Sequence, residues 1–309
     1  MNQILTDIMG LFKRKEITTD AKDADLIPLA GKKVTSSTPV SGTTPPDKVS
    51  LITASDFVTN YVVPKVGPTT NNTVYGFEAF ESNTSGTLNT ALGFQVLRNN
   101  TIANSNVGVG AEALRDNISG GNNIGIGVAA LQRLTTGVEN TAIGFLSFLF
   151  NNDSRNTALG AYTGYNSRSN DNTYIGYRSG NESWYGVENT AVGSEAHKSV
   201  WNSNAENNVA IGRSSLIAIS NGDDNTAVGY QSGINITTAS SNTIVGAYAD
   251  AANFSSSVIL GRAATATANN QFVVGSATYN AGAVTTAAAT QTKTWDVIIN
   301  GVAEKILLA

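Results

Sequence analysis

The stretch NTAIGFLSFLFNNDSR at residues 140–155 is followed directly by NTALG at residues 156–160, so one five-residue phrase returns after a short interval. The phrase consists of Asn, Thr, Ala, an aliphatic residue and Gly, and full or degenerate copies run from residue 72 to residue 275. A repeat of this kind indicates one small unit stacked many times. The glycines that close the copies follow one another at a nearly constant interval and are Gly76, Gly93, Gly110, Gly127, Gly144, Gly160, Gly176, Gly193, Gly212, Gly229, Gly246, Gly261 and Gly275.

This period predicts an all-β fold. It is too short for a helical hairpin repeat, which needs more than about 30 residues. It suits the coil of a parallel β-solenoid or β-roll, built from two or three short strands and tight turns. We therefore expect a shaft of about thirteen coils of ~17 residues each. A left-handed helix of hexapeptide repeats ranks second, because only one sharp motif occurs in each coil.

The alternation of side chains along the phrase predicts which faces of the strand are covered. The residue before Gly is apolar or aromatic in every copy, so we expect it to point into a continuous core. The residue two before Gly lies on the other face and is mostly Ala or Gly. A strand that is apolar on both faces is covered on both faces, and a thin coil covers only one. The second face therefore predicts contact with another chain.

Two further positions of the phrase carry structural predictions. Asn opens eleven of the thirteen copies, and identical Asn side chains one coil apart can form a hydrogen-bonded ladder. The closing Gly permits a positive φ or a close approach of two backbones.

Composition excludes several classes of function. Of the 309 residues only 14% are charged, and the net charge of −4 lacks the basic stripe that a nucleic-acid partner requires. There is no cysteine, hence no disulfide and no thiolate metal site. No stretch approaches the ~20 apolar residues of a membrane span. The single histidine, His197, occupies a position that Leu fills in other coils, so we interpret it as an ordinary repeat residue. We predict no cofactor, no metal and no catalytic residue.

The ends of the chain do not repeat. Near the N-terminus an apolar stripe at helical spacing predicts a helix that anchors the chain on a partner protein; a trimeric bundle or a membrane surface are the alternatives. The stripe consists of Ile4, Leu5, Ile8, Met9, Leu11 and Phe12. The expected organisation is an anchoring arm at 1–34, a Pro/Ser/Thr linker at 35–50, a short helix or neck at 51–70, the repeat shaft at 71–278 and a C-terminal linker and tip at 279–309.

The tip contains the dipeptide Asn300-Gly301, a strong signal for a two-residue β-hairpin turn. It is flanked by apolar stretches at 295–299 and 302–308. Because an isolated hairpin is marginal in water, we expect three of them to pack about an axis and cover the last coil.

One window of the shaft is rich in aromatic side chains. Aromatic faces and Asn side chains suit a glycan, which makes this window a candidate recognition surface on outward loops. The alternative is that the rings pack between chains. The window contains Tyr162, Tyr165, Tyr174, Tyr177, Trp184, Tyr185 and Trp201.

Other activities are disfavoured by the regularity of the repeat. Glu182, Glu188, Glu195 and Glu206 lie in one region, but paired catalytic carboxylates need a cleft, which a regular rod rarely offers. The chain is therefore predicted not to be an enzyme. A row of Thr residues at the second position of the phrase suggests ice or mineral binding. That row shares a face with the residue before Gly and is therefore expected to point inward.

The copies NTAIG, NTAVG and NVAIG resemble the head repeats of trimeric autotransporter adhesins, whose fold is a left-handed parallel β-roll of three intertwined chains. The longer form NTALGFQVL at residues 89–97 and the ending INGVAEKILLA at 299–309 are similar to tail-fibre and head-fibre proteins of bacteriophages. The match covers about two thirds of the chain.

The resemblance implies a homotrimer that serves as a structural virion fibre or spike, on the capsid or the tail. It would attach to other virion proteins through residues 1–34 and carry its C-terminal tip outward, towards a host-surface glycan. Trimeric autotransporters have a signal peptide and a C-terminal membrane anchor. The sequence shows neither pattern, so the phage fibre is the leading expectation. The head of a bacterial trimeric adhesin is the alternative, and a β-solenoid enzyme that degrades polysaccharide ranks below it.

Overall fold

The computed structural model of the chain describes residues 71–200 and 203–279, together with the backbone of residues 294–299 and 302–307. The expected N-terminal helices, the linker at 35–50 and the apolar stripe from Ile4 to Phe12 lie outside the described residues. So do Trp201 and the Asn300-Gly301 turn. All described residues belong to one compact unit, Thr59–Ala309.

Thirteen three-residue strands form one parallel sheet whose strand order is the chain order. Neighbouring strands pair at equal positions of the repeat, for example Thr73 with Thr90 and Tyr75 with Leu92. The prediction of an all-β parallel solenoid is confirmed. The strands are β1 Thr73–Tyr75, β2 Thr90–Leu92, β3 Val107–Val109, β4 Ile124–Ile126, β5 Thr141–Ile143, β6 Thr157–Leu159, β7 Thr173–Ile175, β8 Thr190–Val192, β9 Val209–Ile211, β10 Thr226–Val228, β11 Thr243–Val245, β12 Val258–Leu260 and β13 Phe272–Val274.

Each coil is numbered by its strand, so that coil 5 contains β5. Two further strands, β14 Thr294–Ile299 and β15 Val302–Leu307, pair antiparallel, with Trp295 opposite Ile306 and Ile299 opposite Val302. That this hairpin covers the last coil stays a prediction.

In the part of the chain that the structure describes, no helix is long and apolar enough to cross a membrane.

The face of the sheet that points into the coil is the opposite of the one predicted from the sequence. In β1 to β12 the middle residue, two before Gly, is buried, whereas the residue before Gly is half-buried or exposed. In coil 2, for example, Ala91 is 1% exposed and Leu92 is 45% exposed. The Thr row shares the face of Leu92, as expected, but this face points outward. The prediction that these two rows point into the core of the coil was wrong.

The reason for this orientation is the narrowness of the coil. A Cβ placed on Gly108, in the middle of β3, would lie 2.4 Å from Cγ1 of Val96, and one on Gly125 would lie 3.0 Å from Cγ of Leu114. In coils 2 to 6 and 8 to 10 the space behind the strand therefore accepts Ala or Gly and little more. A larger side chain at this position would overpack the interior of these coils, so the larger aliphatic residue of the phrase occupies the outward face. Val74, Tyr174, Ile244 and Ile259 occupy the same position in four other coils and are buried.

Outside its single strand, each coil consists of turns, whereas the sequence predicted two or three strands per coil. The residues two and four after Gly adopt left-handed backbone conformations, as in Gln95 (φ 53°) and Leu97 (φ 49°), which interrupt an extended strand. A left-handed non-glycine residue costs about 1–2 kcal/mol. Leu97 is fully buried, and burying a Leu side chain contributes about 1.5–3 kcal/mol. The buried side chain thus offsets the strain of its own backbone.

The closing position requires glycine both because its φ is positive and because the next coil leaves no space for a side chain. Gly76 has φ +139° and Gly144 has φ +142°, a region that L side chains rarely adopt. A Cβ on Gly144 would lie 2.3 Å from the carbonyl oxygen of Gly160 in the next coil. The glycines stack directly on one another, which confirms the predicted close approach of backbones.

The Asn ladder is also confirmed. The backbone N–H of Asn156 donates to Oδ1 of Asn140 (3.0 Å), and Nδ2 of Asn140 donates to the carbonyl oxygen of Asp153 (2.7 Å). The same pattern joins the buried Asn side chains from Asn72 to Asn242. Each coil thereby satisfies a buried backbone donor of the next coil.

Coils 5 to 8 replace the standard core with larger rings. Tyr174 stands where six coils have Ala, and its ring would overlap a Cβ on Gly180, at 2.4 Å from Cδ2. Glycine at the position where four other coils have Leu therefore makes room for Tyr174. His197 lies beside this ring, with a centroid distance of 6.3 Å, and its Nδ1 lies 3.1 Å from Oγ of Ser199. The expectation that His197 is a repeat residue agrees with its complete burial.

His197 should make the stability of the fold depend on pH. Burial lowers the pKa of His197 from 6.5 to about 4. The unfolded chain therefore takes up a proton between pH 6.5 and 4 that the folded chain does not. Stability should be complete above pH 6.5 and fall as the pH decreases towards 4, by about 3 kcal/mol per chain. His197→Leu, which introduces the residue found at Leu97 and Leu216, should remove this pH-dependent part of the stability. The check is the free energy of unfolding by urea, measured at pH 7 and at pH 4.5 for the wild type and the variant. An equal loss of stability between the two pH values in the wild type and in the variant would contradict the prediction.

The ladder should contribute to stability at every rung. Asn140→Ala leaves the Asn156 N–H and the Asp153 carbonyl without their buried partners, at a cost of about 1–3 kcal/mol for each group. We expect a clearly lower urea midpoint. The matched control is Asn99→Ala, which removes only an exposed hydrogen bond to Asp116. Equal midpoints for the two variants would show that the ladder contributes nothing.

Candidate functional site: an aromatic surface on coils 4 to 7

The structure places most of the predicted aromatic residues on the outside of two neighbouring coils. Tyr162 and Tyr165 lie in the turn after β6, and Tyr177 directly follows the closing glycine of β7. Trp184 and Tyr185 lie further along the turns of coil 7. All five are half-buried or exposed, so they are available to a surface contact in the single chain.

Tyr174 is the exception, and its inclusion in the recognition surface was wrong. Its side chain is fully buried and packs between Phe148 and His197, at centroid distances of 6.1 Å and 6.3 Å. Burial raises the pKa of its hydroxyl to about 12. The middle position of β7 points into the coil, so Tyr174 belongs to the core. Trp201 lies outside the described residues.

One group of surface rings adjoins the sheet. The ring of Tyr162 meets Phe145 edge-on at 5.3 Å and Tyr177 at 6.2 Å. The guanidinium carbon of Arg178 lies 5.2 Å from the centre of Tyr177 and 5.7 Å from that of Tyr162. Both distances fall within the ~6 Å range of a cation–π contact. This group lies beside the outward apolar face of the sheet.

A second group lies five to nine residues after the glycine, on a different turn of the coil. The ring of Phe150 meets Tyr165 edge-on at 5.4 Å, and Trp184 lies 6.2 Å from Tyr185. The guanidinium of Arg168 lies 5.7 Å from the centre of Phe150 and 4.5 Å from that of Trp184. Arg133 contacts the same Phe150 ring at 5.8 Å. The two groups are joined by Tyr162 and Tyr165, whose rings are 5.9 Å apart.

Sequence reasoning missed the arginines and two phenylalanines of this surface. They fall outside the window or are not aromatic, but they recur at the coil interval. Phe150 follows Arg133 by one full repeat, and Trp184 follows Arg168 by one full repeat. Aligning the sequence coil by coil would have brought them together.

Two of the carboxylates near this surface, Glu182 and Asp171, are engaged with other side chains. Both oxygens of Glu182 accept hydrogen bonds, from Asn166 (2.8 Å) and Asn181 (2.7 Å). Arg155 and Asp171 form a two-pronged ion pair at 2.6 and 2.8 Å, which lowers the pKa of Asp171. Burial raises the pKa of Asp153. Among the described residues there is no group of three or more His, Asp or Glu side chains that could hold a metal ion.

This surface combines flat apolar faces with planar cations. Ring faces offer stacking surfaces for the apolar sides of sugars or bases, while a guanidinium offers several donors in one plane. The arrangement is suited to binding.

No protein-family model, no curated protein and no solved structure matches the chain. Its functional interpretation therefore depends on the geometry of the solenoid and on the resemblance of the repeat phrase.

Proposed function

We propose that the chain is a structural fibre or spike of a bacteriophage virion. In this proposal three copies assemble through their sheets, attach to the particle by the N-terminal region and project the solenoid towards a host cell or another surface. The observation that carries the proposal is the outward face of the thirteen-stranded sheet, which is apolar and which no described residue covers.

This face is formed by matching rows of side chains. The residues before Gly, such as Leu159 (46% exposed) and Ile211 (40% exposed), form one row, with Thr, Val or Ile beside them. A second apolar row directly follows the glycines in many coils and contains Phe77, Phe94, Val128, Phe145, Tyr177 and Tyr230. Soluble monomers rarely expose an apolar surface that continues along so many strands. Covering it would contribute about 25 cal/mol per Å².

A second copy of the same chain is the partner that fits best. The outward rows repeat once in every coil, so a complementary surface must repeat at the same interval. An identical solenoid meets this condition at every coil, whereas a globular partner would match only a few. Three copies are proposed because the phrase resembles the repeats of trimeric β-rolls.

The virion location follows from the combination of a regular shaft with distinct ends. A stack of coils provides length without a cleft, which suits a fibre that holds a contact surface away from its anchor. The similarity of NTALGFQVL and of the final eleven residues to phage fibre proteins supports the same location. The arm at 1–34 is the proposed attachment to other virion proteins.

The assembly is tested by native mass spectrometry of the folded chain. We expect three times the 32.1 kDa chain mass. Leu159→Glu, which puts a charge on the outward face, should yield monomers or aggregates with intact β-structure. The matched control Ser119→Glu adds the same charge at an exposed turn position and should remain trimeric. A wild-type monomer, or a trimer of Leu159→Glu, would contradict the proposal.

The location is tested by peptide mass spectrometry of purified phage particles whose genome encodes the chain. We expect the chain among the structural proteins of the particle. Its absence from particles together with its presence in the cell envelope would favour the bacterial adhesin instead.

A further inference from the structure

Four side chains of the aromatic surface form an alternating ladder of cations and rings. Arg133, Phe150, Arg168 and Trp184 come from coils 4, 5, 6 and 7 in turn. Each guanidinium lies over a neighbouring ring, at 5.8 Å for Arg133 on Phe150, 5.7 Å for Arg168 on Phe150 and 4.5 Å for Arg168 on Trp184. We call these four residues the Arg–ring ladder. Tyr165 and Tyr185 extend its apolar surface on either side.

The two arginines of the ladder are not engaged by carboxylates of the described residues. The ion pairs among the described residues engage Arg98, Arg115, Arg155 and Lys198. In the same part of the chain, neither Arg133 nor Arg168 forms an ion pair. Both side chains are exposed. A ring orients a guanidinium without neutralising it, so the N–H donors at its edge remain available to an anion.

The spacing of these charges restricts the ligand. Successive coils are about 4.8 Å apart, so arginines two coils apart lie about 10 Å from one another. An extended disaccharide, made of two pyranose rings, has a comparable length. A polymer with an acidic group on every second sugar would therefore place successive anions at successive arginines. Trp184, beyond Arg168, and the edge of Phe150 that remains between the two guanidinium groups would lie against the apolar faces of the sugars.

We propose that the Arg–ring ladder binds an acidic polysaccharide in which carboxylated and neutral sugars alternate. Arg133 and Arg168 each donate hydrogen bonds to one carboxylate, and the rings between and beside them stack on the sugars. This inference deepens the proposed function and rests on it, because it names the class of surface polymer that the fibre contacts.

A single-stranded nucleic acid is the competing ligand, because arginines and rings also bind stacked bases. It fits less well. It carries a phosphate on every unit, whereas the ladder has one cation for every second coil.

The test measures binding to three probes by isothermal titration with the full-length chain. The probes are hyaluronan oligosaccharides, which alternate glucuronate with a neutral amino sugar, the same oligosaccharides after reduction of their carboxyl groups, and oligo-dT. We expect hyaluronan to bind, with the affinity falling as salt increases, and the reduced form to bind at least tenfold more weakly. Stronger binding of oligo-dT, equal binding of the reduced sugar or no binding of hyaluronan would overturn the proposal.

The variant Arg168→Gln should weaken hyaluronan binding by about 10- to 100-fold, since it removes charge-assisted hydrogen bonds. Trp184→Ala should weaken binding of hyaluronan and of its reduced form alike, because it removes stacking. The matched control is Arg213→Gln, an arginine that contacts the single ring of Tyr230 at 5.9 Å, away from the ladder. It should bind like the wild type. Equal affinities for Arg168→Gln and Arg213→Gln would overturn the assignment.

Circular dichroism and native mass spectrometry of each variant separate a binding defect from misfolding. They also separate the two proposals. A trimer that does not bind hyaluronan would contradict the proposed role of the Arg–ring ladder but not the fibre proposal. A monomer that binds hyaluronan through Arg168 would contradict the fibre proposal but not the role of the ladder.

Discussion

The thinness of the coil is the constraint on which the rest of the structure depends. Behind eight of the thirteen strands there is room for a methyl group or a hydrogen atom, since a Cβ on Gly108 would already lie 2.4 Å from Val96. Between coils there is even less room at the closing glycines. The core of these coils is therefore built from small strand residues and from the larger side chains of the turns. The larger aliphatic residues of their strands point outward, and the sheet acquires a second apolar face that the described residues leave uncovered.

The sequence predicts the stacking well because stacking depends on the period. Equal spacing of the glycines places equal residues side by side, so the parallel register, the Asn ladder and the glycine contacts all follow from it. Which face of the strand points into the coil does not follow from the period. Alternation predicts two faces, and side-chain size decides which one is inside. The signal was present in Ala91, Gly108 and Ala142, since in these coils only the smaller residue of each pair fits inside. The turns were also misjudged, because left-handed residues such as Leu97 leave no pattern in composition.

In the candidate site, residues that are close along the chain differ from residues that are close in space on successive coils. A window along the chain gathers Tyr162, Tyr165 and Trp184, but it also includes Tyr174, which the strand turns inward. It omits Arg133 and Phe150, which lie one coil from the next member of the ladder. In a solenoid, neighbours in space are separated in sequence by one full repeat. A surface on such a fold is best predicted from residues at equal positions of successive coils.

The central claim is that the outward apolar face meets copies of the same chain. The chain has no cysteine, so a spin label on Leu159→Cys would be unique in each copy. We expect dipolar coupling between chains at this position, stronger than for a label on Ser119→Cys in an exposed turn. A folded protein whose Leu159→Cys labels show no coupling between chains would contradict the account.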